Sequence, residues 1–379
     1  MLSSFFPSGW RELAVSTNAT KGLRQDKDAG NLLRLLLMHV GCGYSLRETV
    51  TRAHQSGLSH MSDVALLKRL RKSELWLQTL CCNLFEERRL SQVPAWHGET
   101  IRLIDASNIK EPGKTGSFWR LHYSLVLPSL ACDFFELTPY KGEGTGESLC
   151  RYKAQAGEHL IADRGYSTAQ GIDAIAKQGA YMTVRLNPQN VRLQNLRGGK
   201  LDIPAHLAKS IHRDQCVDIA ALLTDSRNEH VTPGRICALR KNRAAIALAQ
   251  KKLRRRASKN GATLGEHSLF YAQYVIVFTT IPKTRFSASQ ILESYRLRWQ
   301  IELVFKRFKQ QADLGHLPKN DPASSRAWLY GKLFTVLLTE KLLQHAECFS
   351  PWGYEQQETP DFQPLEGVQL YVSSSKNGN

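Results

Sequence analysis

The pattern of hydrophobic and polar residues changes after about the first quarter of the chain. Residues 30–95 favour helices: SLRETVTRAHQSG begins with the capping-box pair Ser45 and Glu48 and stops at Gly57. A second helix is predicted to start near Ser62 and to continue through ALLKRLRKSELWLQTL. A helix, a short turn and a basic helix are compatible with a helix-turn-helix that reads DNA. A plain helical bundle with a solvated charged face is an equal alternative.

From residue 100 the pattern favours strands. The segment TIRLIDAS predicts a strand closed by Asp105, and SFWRLHYSLVLP alternates with a period of two. HLIADRGYS predicts a short apolar strand closed by Asp163 before a turn, and TAQGIDAIAKQ and AYMTVRLN predict a helix and a further strand. An antiparallel hairpin followed by strand-helix-strand units predicts a mixed sheet with helices on its faces.

A glycine-rich segment, KGEGTGE, lies between these elements. Its spacing meets neither the P-loop nor the dinucleotide-binding pattern, and Glu143 and Glu147 would repel a phosphate. We therefore interpret this segment as a connector.

One long helix is predicted over residues 287–314. Ser287 and Gln290 form a capping box, and Gly315 ends the element. On a helical wheel, four polar residues share one stripe, and a separate apolar stripe faces the sheet. The polar stripe consists of Tyr295, Arg298, Glu302 and Lys309, and the apolar stripe of Leu297, Ile301, Val304 and Phe308. Another helix, SSRAWLYGKLFTVLLTEKLLQHA, is predicted to follow.

The chain is strongly basic, with 51 Lys and Arg against 34 Asp and Glu and a net charge of +17. This balance favours a polyanionic partner, nucleic acid first, over a surface that is merely basic. Residues 235–259 contain ten Lys or Arg and no acid, which predicts either an arm that follows a DNA backbone or a flexible solvated segment.

Other classes of protein are disfavoured. The eight cysteines show neither a CxxC pair nor a zinc-type Cys/His spacing, which is typical of a reducing cytoplasm. The apolar run LLRLLLMHVG is short and broken by Arg34, so neither a signal peptide nor a membrane span is predicted. We expect a cytoplasmic protein without a membrane partner.

Three carboxylates are candidates for a metal site: Asp105 and Asp163 at predicted strand ends, and Glu302 on a predicted helix. Adjacent strand ends and one helix face can bring such residues together. Carboxylates without His or Cys suit Mg²⁺ or Mn²⁺, and two such ions can clamp a phosphodiester. The alternative for Glu302 is a simple ion pair with Arg298 or Lys306 at a spacing of four residues.

The spacing Y-(2)-R-(3)-E-(6)-K, formed by Tyr295, Arg298, Glu302 and Lys309, resembles the signature of bacterial DDE transposases of the insertion sequence four family. IRLIDAS and IADRGY resemble the other two motifs of that family. The similarity runs from about residue 30 to about residue 345.

The resemblance implies a mixed α/β fold. It consists of a ribonuclease H-like catalytic core with a β-rich insertion, preceded by an all-helical N-terminal domain. The expected layout is a helical domain that binds end DNA at residues 1–95, the first part of the core at 96–187 and the insertion with its basic arm at 188–284. The helical remainder of the core follows at 285–347, and a polar tail at 348–379.

The resemblance also implies roles for residues. Asp105, Asp163 and Glu302 would be catalytic and would bind Mg²⁺ or Mn²⁺, as two ions. Tyr295, Arg298 and Lys309 would grip the DNA backbone at the transposon end. Further DNA contacts are expected at Lys306, Arg69, Arg254, Arg255 and Arg256.

The implied activity is cut-and-paste transposition. The enzyme cleaves the phosphodiester at the ends of the element, and the freed 3′-OH attacks target DNA, with two protomers on the paired double-stranded ends. Relatives stack a flipped base on an aromatic side chain, a role for which this chain offers Phe270, Tyr271 or Tyr274, since residues 164–298 contain no Trp. The alternatives are a metal-dependent nuclease of the same fold and a transposase-derived DNA-binding protein without strand transfer.

Overall fold

The protein is a mixed α/β structure built around one large sheet, as the sequence predicted. The computed structural model describes residues 2–23, 27–89, 100–110, 118–127, 131–186, 191–209, 216–261, 263–311, 313–315, 317–318 and 321–347. The polar tail predicted over 348–379 lies outside the described residues.

Helices alone form the regular structure of the described N-terminal residues. Their bounds are α1 Trp10–Ser16, α2 Ala29–Val40, α3 Leu46–Gln55, α4 Asp63–Lys72 and α5 Glu74–Arg89. The side chains of Ser45 and Ser62 cap α3 and α4, as predicted. The single helix predicted after Ser62 is wrong, because the chain breaks at the buried Ser73, whose hydroxyl donates to the Arg69 carbonyl at 2.9 Å.

Nine strands form a single sheet in the order β3-β2-β1-β4-β5-β9-β8-β7-β6. Their bounds are β1 Ile101–Lys110, β2 Phe118–Leu127, β3 Ala131–Pro139, β4 His159–Ala162, β5 Tyr181–Arg185, β6 Arg192–Gln194, β7 Val217–Thr224, β8 Val231–Arg240 and β9 Tyr274–Thr279. The pairs β1–β4 and β4–β5 are parallel, and the other pairs are antiparallel. The mixed β3-β2-β1-β4-β5 part is consistent with a ribonuclease H-like core.

Successive side chains along the central strands point to opposite faces of the sheet, so they pack into two hydrophobic cores, one on each face. Leu103 and Ile161 face one core, whereas Ile104 and Leu160 face the other. The first core is closed by the N-terminal helices and by the last three helices, α10 Ala288–Arg296, α11 Trp299–Gln311 and α12 Pro322–Glu347. The second is closed by α6 Ala169–Lys177 and α7 Ile203–Lys209.

The basic segment 235–259 is neither an extended arm nor a coil. Its first part belongs to β8, where Arg235 is buried and bonded to Asp218 at 2.7 Å. The rest forms α8 Arg243–Lys259, which is capped by the Asn242 side chain and has no buried residue. A short helix, α9 Glu266–Tyr271, follows before β9.

The helix predicted over 287–314 is two helices. The capping box of Ser287 is present at the start of α10, as predicted. The chain then turns at Leu297 and Arg298, where the Arg298 amide donates to the Tyr295 carbonyl, a bond across three residues rather than four. The prediction of one continuous helix, and of one polar stripe along it, is therefore wrong.

The apolar face predicted for the second of these helices is confirmed. Ile301, Val304 and Phe308 of α11 are buried. The Phe308 ring meets Tyr123 of β2 edge-on at 5.5 Å, so α11 is fixed against the sheet beside β1. Among the described residues, no helix combines the length and the apolar character that crossing a membrane requires.

Candidate active site

Asp105 and Asp163 lie side by side in the middle of the sheet. The parallel pairing of β1 with β4 ends at Ile104 and Ala162. Asp105 and Asp163 are the residues that directly follow this last pair. Asp163 leaves β4 as predicted and accepts a hydrogen bond from the Gly165 amide at 2.8 Å. Asp105 does not end its strand, because β1 continues to Lys110 paired with β2 alone.

The Asp105 carboxyl is held in an environment that disfavours its charge. Burial, together with the charges of Asp163 and Glu147, raises the pKa of Asp105 to about 7. The Ala106 amide, which donates to Asp105 at 2.8 Å, and the Arg298 guanidinium oppose this rise. A cation bound between these carboxylates would remove the repulsion.

Arg298 connects the third predicted carboxylate to the first. Its Nη2 donates to Glu302 Oε1 at 2.5 Å, and its Nη1 lies 3.8 Å from Asp105 Oδ2. The ion pair that the sequence offered as an alternative for Glu302 is thus present. The Glu302 side chain is 57% exposed, so its carboxylate remains free to turn toward other partners.

Tyr295 brings an unpartnered polar atom to the same place. The residue is 8% exposed, and its hydroxyl has no hydrogen-bond partner among the described residues. Burial raises the pKa of the Tyr295 phenol, against the charges of Arg298 and Arg185. A buried hydroxyl without a partner costs free energy, and a ligand oxygen bound at this place would remove that cost.

Arg164 and Arg185 lie near Tyr295, and Arg164 also follows Asp163 directly. Lys241 of the basic segment 235–259 lies near these two arginines. Burial and the mutual repulsion of Arg164 with Arg185 lower the pKa of Arg164, and burial together with Arg185 and Arg164 lowers the pKa of Lys241. Within the described ranges, none of the three has a carboxylate at ion-pair distance. They lie far apart in sequence, and only the sheet brings them together.

Glu147 is a further carboxylate that the sequence analysis missed, since it lies in the segment interpreted as a connector. Burial and the charge of Asp163 raise the pKa of Glu147, and Arg120 opposes this. A Cβ atom placed on Gly165 would lie 1.8 Å from Glu147 Oε2, so the carboxylate covers the space that only glycine leaves free.

The remaining predicted DNA contacts occupy different surfaces. Lys306 and Lys309 are exposed on α11, and Arg254, Arg255 and Arg256 are exposed on α8. The charge of Arg256 acts on Arg164, the residue after Asp163, so one side of α8 lies toward this group of residues. Arg69 donates to the Lys21 and Gly22 carbonyls, so it fastens the N-terminal segment.

The aromatic candidates for base stacking are less accessible than expected. Tyr274 is 6% exposed, and Phe270 packs against both Tyr271 and Tyr274. Trp299, the first residue of α11, is 49% exposed instead. It directly follows residues 164–298, which contain no Trp.

A second group of possible ligands lies at the β7–β8 turn and contains none of the predicted metal ligands. Asp225, Glu229 and His230 place ligand atoms within 4.8 Å of one another. Asp225 Oδ1 already accepts the amides of Arg227 and Glu229, and His230 is bonded to Asp173 at 2.9 Å. Local turn bonds and one ion pair account for this group.

Comparison with known proteins identifies relatives over most of the chain. Residues 96–338 match the family described as the transposase DDE domain. The chain is 30% identical, over 89% of its length and 91% of the relative's, to the transposase for insertion sequence element IS421 of Escherichia coli. It is also 24% and 27% identical, over 88% of its length and 76% of theirs, to the transposases for elements IS231B and IS231E of Bacillus thuringiensis.

Proposed function

Because this chain belongs to the family of transposases with a DDE domain, we propose that it moves its own insertion sequence by cutting the element at its terminal inverted repeats and joining the freed ends to target DNA. The chain is a DNA transposase, an enzyme of DNA cleavage and strand transfer. The family also implies binding to DNA and dependence on a divalent metal.

The residues around Asp105 fit such a metal. They offer carboxylate oxygens, the donors that Mg²⁺ and Mn²⁺ prefer. The Arg298 guanidinium already bridges Asp105 and Glu302, so the space between them accommodates positive charge. Asp105, Asp163 and Glu302 would hold two Mg²⁺ or Mn²⁺ ions, which when bound activate a water or a 3′-OH and neutralise charge on the phosphate.

The chain's other groups would hold the phosphodiester that reacts. The Tyr295 hydroxyl can donate to a phosphate oxygen. Arg298 can bind the same phosphate once the hydrogen bond between Arg298 and Glu302 is broken. Arg164, Arg185 and Lys241 supply positive charge that lacks acidic partners in the described residues, as a DNA backbone requires. Lys306, Lys309 and the exposed arginines of α8 extend this surface.

We further propose that the N-terminal helices recognise the inverted repeats and that two protomers hold the two ends together. On the basic α4, Arg69 holds the Lys21 and Gly22 carbonyls and Arg71 pairs with Asp321. It is therefore the exposed Lys68 and Lys72 that support DNA contact by this part of the chain. Such a protein would work on the nucleoid in a bacterial cytoplasm.

One observation carries the proposal. Asp105 and Asp163 lie next to each other where the β1–β4 pairing ends, and Arg298 contacts both Asp105 and Glu302. The test is cleavage of a plasmid that carries the element with its native flanking DNA, in Mg²⁺ or Mn²⁺. We expect Glu302→Gln to lower the rate of end cleavage by at least about 1,000-fold, or about 4 kcal/mol of barrier, while end-DNA binding persists.

The matched control is Glu293→Gln, an exposed glutamate on α10, which is expected to cleave like wild type. If Glu302→Gln cleaves as fast as wild type, the three-carboxylate site is wrong. Cutting without joining would indicate a nuclease, and binding without any cutting by wild type would indicate a DNA-binding protein derived from a transposase.

A further inference from the structure

We propose that Glu147 is a fourth acidic ligand of the divalent-cation site, on the side formed by Asp163. The proposal rests on the proposed function, because it concerns the same site. It assigns a metal-binding role to a residue outside the three carboxylates that the family resemblance implied, in the loop between β3 and β4.

The first support is distance. One point, the position of a Cβ on Gly165, lies 1.8 Å from Glu147 Oε2 and 3.2 Å from Asp163 Oδ1. These two oxygens are therefore at most about 5 Å apart, the sum of the two distances. Two oxygens bound to one Mg²⁺ at its usual ligand distance are up to about 4 Å apart. A movement of about 1 Å is enough for both to bind the same ion.

The second support is that Glu147 is held in place but makes no ion pair with a described residue, and the positive charge that acts on it is that of the more distant Arg120. The chain is anchored directly after it, since Leu149 is fully buried and the Ser148 side chain accepts the Cys150 amide. Glu147 itself is half-buried and makes neither an ion pair nor a hydrogen bond with any described residue. A buried carboxylate without such partners is costly unless a cation binds it.

The third support is independent of the acidic residues. The unpartnered hydroxyl of Tyr295, nine-tenths buried and electrostatically coupled to Asp163, indicates that a ligand binds beside Asp163. Membership of the DDE family makes a divalent metal part of that ligand set. The hydrogen bonds and ion pairs that Arg298 makes with described residues do not include Glu147, so Glu147 can join the ion without displacing the Arg298–Glu302 pair.

Gly165 is the part of the sequence that permits this arrangement. An alanine there would place its Cβ against the Glu147 carboxylate, which would have to move away from Asp163. A bond between the Gly165 amide and Asp163 would persist in the variant, because the backbone is unchanged.

The test measures Mn²⁺ affinity of the full-length, metal-free chain by calorimetry and by the electron paramagnetic resonance of free Mn²⁺. We expect Glu147→Gln to weaken binding by about 10-fold or more. The matched control is Glu143→Gln in the same loop, which is exposed and is expected to bind like wild type. Asp163→Asn serves as the reference that loses the site.

Each outcome decides between the proposals. Loss in Asp163→Asn and in Glu147→Gln, with none in Glu143→Gln, supports the fourth ligand. Loss in Asp163→Asn alone overturns the role of Glu147 and leaves the proposed function standing. No loss in either overturns the cation site itself. Equal loss in Glu143→Gln overturns the specific role of Glu147, since any acid of the loop would then serve.

A double-variant comparison and a stability measurement separate ligation from a structural role. Gly165→Ala is expected to weaken Mn²⁺ binding as Glu147→Gln does, and to add little in the Glu147→Gln background. Additive losses would overturn the proposal, because Gly165→Ala would then act through Asp163. The metal-free melting temperature of Glu147→Gln is expected to equal or exceed that of wild type, whereas a structural role requires it to fall.

Discussion

At the scale of single residues, the site is defined by acids that repel one another and by one arginine that joins two of them. Asp105, Asp163 and Glu147 are electrostatically coupled, and Arg298 reaches both Asp105 and Glu302. Asp105 shows the consequence most clearly, because burial and neighbouring charge raise its pKa to about 7.

This pKa makes the stability of the metal-free chain depend on pH. Between pH about 4 and about 7 the unfolded chain releases the Asp105 proton and the folded chain keeps it, so stability falls as pH rises through this window. Asp105→Asn keeps the acceptor for the Ala106 amide without the titration. We expect it to match wild type below pH 4 and to exceed it above pH 7 by up to about 4 kcal/mol.

The difference in unfolding free energy between Asp105→Asn and wild type is measured by thermal or urea unfolding from pH 4 to pH 8, with a metal chelator present. Glu143→Gln, at an exposed position, is expected to differ from wild type by the same small amount throughout. A difference between Asp105→Asn and wild type that stays constant from pH 4 to pH 8 would contradict the raised pKa.

At the scale of elements, the break between α10 and α11 and the helicity of the basic segment change what the sequence suggested. The turn at Leu297 and Arg298 lets Tyr295 pack into the core that α10 helps to close, while Glu302 stays exposed on the next helix. The basic segment becomes α8, in which each residue points about 100° from the last. Only one side of α8 can therefore face DNA held at Asp105 and Asp163.

The side of α8 that carries Arg256 is predicted to contact DNA. Arg256 is coupled to Arg164 beside Asp163, whereas Arg255 is an equally exposed neighbour turned by about 100°. We expect Arg256→Ala to weaken binding to end DNA more than Arg255→Ala does. It should also reduce the slope of log affinity against log salt by roughly 0.9, the loss of one phosphate contact.

Fluorescence anisotropy with labelled end DNA over a range of salt concentrations measures both quantities. Equal effects of the two substitutions would mean that α8 contributes diffuse charge rather than a defined contact. A larger effect of Arg255→Ala would place DNA on the other side of the helix.

At the scale of the whole molecule, one core links parts that are distant in sequence. The strands of the segment 188–284 extend the same sheet through β8 and β9. The N-terminal helices α2, α4 and α5 pack on α12 at the other end of the described chain. Their buried leucines, which include Leu33, Leu66 and Leu80, thus depend on residues beyond 320.

We therefore expect a fragment of residues 1–95 not to fold alone. Without α12, the apolar side chains that face it would be exposed to water, at a cost of about 25 cal/mol for each Å². Circular dichroism and thermal unfolding of the fragment, with the full chain as reference, measure this. A cooperative transition in the isolated fragment would contradict the expectation and would establish an independent N-terminal domain.

Local patterns alone were sufficient for several features. The alternation in SFWRLHYSLVLP, the caps at Ser45 and Ser287 and the apolar face of α11 depend on neighbours within a few residues, and the structure contains them all. The motif around Tyr295, Arg298 and Glu302 was sufficient to indicate the family, because its spacing is a property of the sequence. Charge balance likewise indicated a nucleic-acid partner.

Other features were decided by the tertiary structure alone. Glu147 and Arg185 carry no local signal, since nothing near them in sequence shows that the fold will bring Glu147 to Asp163 and Arg185 to Tyr295. The breaks at Ser73 and Arg298 fall inside segments whose local pattern is continuously helical, so the pattern alone did not reveal them. Local propensity is summed over neighbours in sequence, whereas burial, the interaction of charges and the geometry of the candidate metal site are set by neighbours in space.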